Sequence, residues 1–181
     1  MKRPFRLFAA MAGLAALAAC QAADGGGTVA VRSTAGAGVR FTPPACDYAV
    51  SFPARPELGR ADDSERYIAL LTEGAGVERE VYYAECIAEP GIGANRAAQL
   101  LASLLRAEGV ESASAADFET EAGSGWTATG STIIDGVAFR HEFVVVPGPQ
   151  SALVLGISGA TQSYPPDGRD FFLGSIVRQD G

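Results

Sequence analysis

Histidine occurs once in the 181 residues, at position 141, and tryptophan once, at 126. A single imidazole excludes a zinc or iron site built from several histidines and leaves His141 as the one histidine available as a general base. Basic residues are outnumbered by acidic ones, 14 against 21, for a net charge of −7. Nucleic-acid binding needs Lys and Arg clusters to neutralise phosphates, so this balance argues against it. A membrane-crossing segment is missing too. The uncharged stretch from Leu7 to Ala19 reaches only about two thirds of the roughly 20 residues a spanning helix needs before Gln21, Asp24 and three glycines interrupt it.

Reactive signatures are equally scarce. Gly156-Ile157-Ser158-Gly159-Ala160 misses the G-x-S-x-G spacing of a nucleophile turn, so no nucleophile is assigned. His141 alternates with Phe139 and Phe143 along one strand face, the pattern of a partly buried structural histidine. Gly91-Ile92-Gly93-Ala94-Asn95-Arg96 opens like a dinucleotide loop, but Arg96 stands where a third Gly or Ala belongs and no P-loop Lys follows. It reads as a strand-to-helix turn. Asp62-Asp63-Ser64-Glu65 and Glu119-Thr120-Glu121 lack the spacing of a calcium loop. Tyr82, Tyr83, Trp126 and Tyr164 offer at most a weak basis for a ligand groove. The expectation is a chain that is not an enzyme, with no catalytic, metal or cofactor-binding residues.

Periodicity supplies the elements. Tyr48, Val50 and Phe52 alternate with Asp47, Ala49 and Ser51 until Pro53, which predicts a half-buried strand. Arg66 to Thr72 and Val77 to Ala88 read as two more, joined by a turn at Glu73-Gly74-Ala75-Gly76, with Tyr82, Ala84 and Cys86 facing inward. Ala97, Leu100, Leu101, Leu104 and Leu105 recur at helical spacing, with Asn95 as N-cap and Gly109 as stop. A short strand near Asp117 to Glu121 precedes a meander of Trp126–Ile134, Val137–Val146 and Ser151–Ser158, whose first turn is the hairpin signal Asp135-Gly136. Pro165-Pro166-Asp167 introduces a last helix in which Phe171 or Phe172, Leu173, Ile176 and Val177 can face the sheet. Hairpins in place of crossovers predict an antiparallel α+β domain.

The N-terminus carries the most specific motif. Lys2, Arg3 and Arg6 precede the apolar stretch, as in a secretory signal, and Leu17-Ala18-Ala19-Cys20 closes it. This arrangement resembles the lipobox of bacterial lipoprotein precursors. The resemblance implies that residues 1–19 are a cleaved leader and that Cys20 becomes the first residue of the mature chain, carrying a diacylglycerol thioether and an N-acyl group. Two or more acyl chains make a stable anchor, so membrane lipid held through Cys20 is the first expected partner. Gln21, where an inner-membrane retention signal would have Asp, implies the outer membrane, with the domain facing the periplasm.

Removing the leader strips three cations and no acids, taking the charge from −7 to −10. It also leaves Cys46 and Cys86 as an even pair in an oxidising compartment, which predicts a disulfide between them. Residues 20–44, rich in Ala, Gly, Ser and Thr, read as a lipidated flexible tether with one short ordered piece at Val39-Arg40-Phe41. Residues 45–181 read as a single domain.

Tyr48-Ala49-Val50-Ser51-Phe52-Pro53 at its start and Asp170-Phe171-Phe172-Leu173-Gly174-Ser175-Ile176 at its end, with the layout between them, resemble the PsbP-like and Mog1-like proteins. The resemblance implies an α/β/α sandwich, an antiparallel sheet covered by a long amphipathic helix and a short C-terminal one. It implies architecture only. The expected role is a non-enzymatic envelope module that contacts an envelope protein through its sheet surface or the loops after Gly59, Gly109 and Gly159. The alternative is a carrier of a small apolar ligand held between helices and sheet.

Overall fold

Strands that are apolar on both faces need cover on both, and this requirement organises the domain. A computed structural model describes residues 30–33, 38–60, 67–74, 79–110, 113 and 115–179. The chain runs β1 (Ala30–Ser33), β2 (Val39–Thr42), β3 (Tyr48–Phe52), β4 (Glu57–Arg60), β5 (Tyr67–Glu73), β6 (Glu80–Ile87), α1 (Ala94–Ala107), β7 (Ala115–Thr120), β8 (Gly123–Ile134), β9 (Val137–Pro147), β10 (Ala152–Ala160), α2 (Arg169–Gly174) and β11 (Val177–Arg178). One antiparallel sheet has the order β4-β5-β6-β10-β9-β8-β7; a smaller one has the order β1-β2-β3-β11. The leader, Cys20 and the start of the tether lie outside the described residues.

β10 is buried along its whole length, and the centres of β6 and β9 nearly so. Their alternating side chains feed two cores. Tyr83, Phe143, Val145 and Val154 meet Ala97, Leu101 and Leu105 of α1 on one face. Tyr82, Ala84, Val144, Leu153, Leu155 and Ile157 meet Phe41, Tyr48, Val50, Phe52 and Phe172 on the other. The architecture is therefore a helix, a seven-stranded sheet, and a layer made of the small sheet plus α2.

This corrects the expected sandwich in three respects. The helix is not long. α1 has 14 residues, about 21 Å at 1.5 Å per residue, and it lies chiefly over β8 and β9. The opposite layer is mostly strand, because α2 has six residues and cannot cover that face. Strand β3 does not join the main sheet; it pairs with β2 and β11 and lays Tyr48, Val50 and Phe52 onto the main sheet's face.

Boundaries shifted for identifiable reasons. The ordered piece expected at Val39-Arg40-Phe41 is strand β2, and the tether expected to reach Pro44 gives way to strand before it, at β1; Val39 and Phe41, two residues apart, place their side chains in the interior, and Phe41 is fully buried. Their burial outweighs the small-residue composition around them. Gly38 (φ +75) makes that entry possible, since a Cβ there would stand 2.2 Å from the Phe52 carbonyl oxygen. β4 escaped detection because Glu57-Leu58-Gly59-Arg60 is an edge strand with Leu58 exposed and no apolar alternation.

Asn95 is not the N-cap of α1. The extended residue Gly93 occupies that position, accepting a hydrogen bond from the Ala97 N–H, so Asn95 falls inside the first turn. Val177 does not face the sheet from a helix either. Ser175 Oγ accepts from the Ser51 N–H at 2.7 Å, and the chain leaves α2 to pair as β11, with Val177 exposed. The Asp135-Gly136 hairpin has both residues at positive φ, 51° and 82°, as a tight type I′ turn requires. Gly109 (φ +85) follows α1 as expected. The turn predicted at Glu73–Gly76 falls partly outside the described residues.

Candidate functional site

His141 points from β9 toward the face covered by α1, in register with Gly130 of β8 and Ser158 of β10. Thr132 Oγ1 lies 2.8 Å from its Nε2, and Ser158 Oγ lies 2.8 Å from its Nδ1. A neutral imidazole donates from one nitrogen and accepts at the other, so two hydroxyls satisfy it completely. The ring is 2% exposed. Burial pushes its pKa down to about 4, which keeps it neutral near pH 7.

Beside it, at the C-terminal end of α1, a cavity of about 20 Å³ opens between Arg79, Glu108, Ile134, His141 and Ser158. That volume accommodates about one water molecule. Glu108 caps α1, and desolvation pushes its carboxyl up to about 7 against the opposing charge of Arg79. The unfavourable end of the helix dipole acts in the same direction.

The grouping of serine, histidine and carboxylate departs from the geometry of a hydrolase triad in two respects. Ser158 sits mid-strand, paired with Val81 on one side and His141 on the other, so its main chain is committed to the sheet. An oxyanion hole requires free, converging N–H donors. The second ring nitrogen meets the Thr132 hydroxyl, where a triad would place a carboxylate.

A second polar centre lies on the opposite face, which sequence reasoning missed. Glu142, 5% exposed, accepts from Arg169 Nε at 2.8 Å, Arg169 Nη2 at 2.7 Å and the Tyr164 hydroxyl at 2.6 Å. Desolvation alone would raise its pKa, but the bonds from Arg169 and Tyr164 hold it below the ordinary carboxylate value. The same interactions push Arg169 upward. Arg140 stands 5.4 Å from the Tyr164 ring centre. The available signal was a charged residue directly before the apolar run Phe143-Val144-Val145-Val146; its partner 27 residues away had none.

Cys46 and Cys86 are joined, with Cα atoms 5.9 Å apart, stapling the start of β3 to β6. Around them Asp47 accepts from the N–H groups of Gln150 and Ser151, both at 2.7 Å. Burial would raise the Asp47 pKa, but these bonds and the Ser151 hydroxyl leave it lowered. Gln179 donates to the carbonyls of Cys46 and Tyr48 at 3.1 and 3.0 Å, drawing both ends of the domain to one corner.

The remaining sequence candidates disperse. Arg96 forms a two-point ion pair with Glu89, Nε to Oε1 at 2.8 Å and Nη2 to Oε2 at 2.9 Å. The Gly91 N–H bonds the Gly148 carbonyl. That glycine turn thus serves the strand-to-helix junction. Tyr82 and Tyr164 pack on the small-sheet face, Tyr83 and Trp126 on the α1 face, so they line no common groove. Glu119 bonds Ser124, while Asp62, Asp63 and Glu65 lie outside the described residues. Among the described residues no cluster of three metal-ligating side chains forms.

The fold is thus a three-layer antiparallel α+β domain. It is similar to a crystal structure from Bacteroides thetaiotaomicron VPI-5482, with a TM-score of 0.53 and 7% identity over 80% of this chain and 49% of that one. This chain spans about half the length of that protein. It also aligns with LpqN, described as involved in cell envelope biogenesis of Mycobacterium tuberculosis, with a TM-score of 0.42 and 13% identity over 74% of this chain and 84% of that one. At 7% identity the likeness to the Bacteroides protein is one of fold. No protein-family model and no curated protein matches the chain.

Proposed function

We propose that this chain is a non-enzymatic cell-envelope lipoprotein, anchored through acylated Cys20 and acting by contact between its folded domain and another envelope protein. The observation that carries the non-enzymatic reading is the closed hydroxyl–imidazole–hydroxyl network of Thr132, His141 and Ser158. The histidine best suited to acid–base work has both nitrogens occupied and almost no exposure. Location in the outer membrane, facing the periplasm, rests on the lipobox and Gln21. Kinship with PsbP-like and Mog1-like proteins rests on the quoted end segments and extends to architecture alone.

The contact surface we assign is the tip of the β8–β9 hairpin. Ile133 is 76% exposed and Ile134 36%, beside a turn that extends beyond the end of β10. Exposed apolar side chains grouped at such a tip suit contact with a partner. The carrier alternative draws no support from the cavity under α1, which is about 20 Å³, whereas ligand pockets run to roughly 300 Å³ and more.

Reversible crosslinking followed by co-purification tests the reading with three forms: the natural chain, Cys20→Ser, and Ile133→Asp with Ile134→Asp. Capture of one envelope protein by the natural chain, lost in the hairpin variant, is expected. Equal capture by natural and hairpin forms would remove the tip from the proposal, and no capture by any form would remove the contact role.

A further inference from the structure

The main sheet ends at β4 on one side and at β7 on the other. An edge strand turns the N–H and C=O groups of alternate residues away from its sheet, and proteins guard such edges by shortness, Pro, Lys or a bulge. β4 is guarded in this way: it has four residues, follows Pro56 directly and ends in Arg60. β7 is not. It has six residues, pairs with β8 without interruption from Ala115 opposite Ala128 to Thr120 opposite Gly123, and contains no Pro, Lys or Arg. Ala115, Ala116, Asp117 and Glu119 are exposed.

Contacts within the domain hold this edge in strand form. Thr120 Oγ1 accepts from the N–H groups of Ala122 and Gly123, both at 3.1 Å, and donates to the Gly123 carbonyl at 2.8 Å, closing the β7–β8 turn. Phe118, half-buried, packs against the core on the small-sheet side. The two faces of the strand differ. Register puts Ala116 and Phe118 on the small-sheet face, and Asp117 opposite Trp126 and Glu119 opposite Ser124 on the α1 face. Ser124 Oγ donates to the Glu119 carboxylate at 2.8 Å and steadies it there.

The two acids are themselves a guard, and a selective one. A second copy added antiparallel about Asp117 or Phe118 would set acid opposite acid, and like charges directly across a ladder repel. A strand with Lys or Arg at alternate positions meets the same acids with opposite charge. We propose that the β7 edge takes up an extended segment of another protein as an eighth strand of the main sheet, with basic side chains beside Asp117 and Glu119 and apolar ones beside Ala116 and Phe118. Main-chain hydrogen bonds supply the attachment, and the alternating side chains select the partner. This surface is separate from the Ile133–Ile134 tip and stands whether or not the tip binds or Cys20 is acylated.

Hydrogen–deuterium exchange on the full chain in its Cys20→Ser form, with Cys46 and Cys86 joined, tests this with three synthetic peptides. One alternates lysine with valine, one alternates glutamate with valine, and one has the first composition with its lysines and valines in separate blocks. The alternating lysine peptide is expected to slow exchange at residues 115–120 at about tenfold lower concentration than the glutamate peptide, the factor that two favourable cross-strand charge pairs contribute. Residues 57–60 and 131–138 should exchange alike throughout. Asp117→Lys with Glu119→Lys should reverse the preference, and the milder Asp117→Asn with Glu119→Gln should remove it. No slowing at 115–120, equal effects of the alternating and blocked lysine peptides, protection centred elsewhere, or a preference unchanged by both variants would overturn the proposal. So would protection of 115–120 that rises with the concentration of the chain alone, since the occupant would then be a second copy.

Discussion

Arg169 grips Glu142 through both carboxylate oxygens, at 2.8 and 2.7 Å, and so ties α2 to the middle of β9. Arg169→Met would leave a buried carboxylate with the Tyr164 hydroxyl as its remaining partner. The expected cost is about 3–5 kcal/mol, because an uncompensated buried charge is penalised more than the pair is rewarded. Adding Glu142→Leu should recover most of it. Urea unfolding at pH 7 measures both, and an unchanged midpoint for Arg169→Met would show that the pair does not hold the helix.

His141 and Glu108 make opposite contributions to stability against pH. His141 falls from 6.5 to about 4 on folding. The unfolded chain then binds the extra proton between those values, and stability worth about 3 kcal/mol is lost as pH falls through that window. Glu108 rises from 4.5 to about 7, so its contribution is present at low pH and lost as pH rises through that interval. The two slopes oppose each other over most of the range. Glu108→Gln should unmask the histidine limb, with the melting temperature rising steadily from pH 4 to 6.5, and should exceed the natural chain at pH 8. Parallel profiles for the two proteins would contradict this.

The Cys46–Cys86 bridge closes a separation of 40 residues, for which loop entropy gives a stabilisation of about 4 kcal/mol. Cys46→Ala with Cys86→Ala should lower stability by up to that amount while leaving the strand content unchanged by circular dichroism. Mass mapping without reductant should find the two cysteines linked; finding both freely alkylated would refute the pairing.

Phe41→Ala should cost about 3–5 kcal/mol, as for other large core aromatics, although Phe41 stands in a segment whose composition reads as tether. Ile133→Asp should change stability by no more than about 0.5 kcal/mol, being a surface substitution. Guanidinium unfolding distinguishes them. A neutral Phe41→Ala would mean that β2 is not part of the folded unit.

Much of the domain was legible because side-chain period is local. The alternation around Tyr48, the leucine stripe of α1 and Asp135-Gly136 each declare a strand, a helix or a hairpin within a dozen residues. The short ordered piece at Val39-Arg40-Phe41 was legible and is β2; its burial in the core was not, since two apolar residues in a run of small ones carry little periodic signal. β4 was illegible because an edge strand with no buried face has no alternation to read. Of the polar centres, His141 was visible as a lone histidine between phenylalanines. Its partners Thr132 and Ser158 were not.

The sequence by itself determined the local elements, the resemblance of Leu17-Ala18-Ala19-Cys20 to a lipobox, and Cys46 and Cys86 as the remaining cysteines, since these depend on neighbouring residues or on counting. Tertiary structure alone decided that β3 stacks on the main sheet instead of pairing into it. It alone brought Ser158 to His141 across 17 residues and Arg169 to Glu142 across 27. Those outcomes follow from strand register and from the need to cover both faces of β10, which no short stretch of chain encodes.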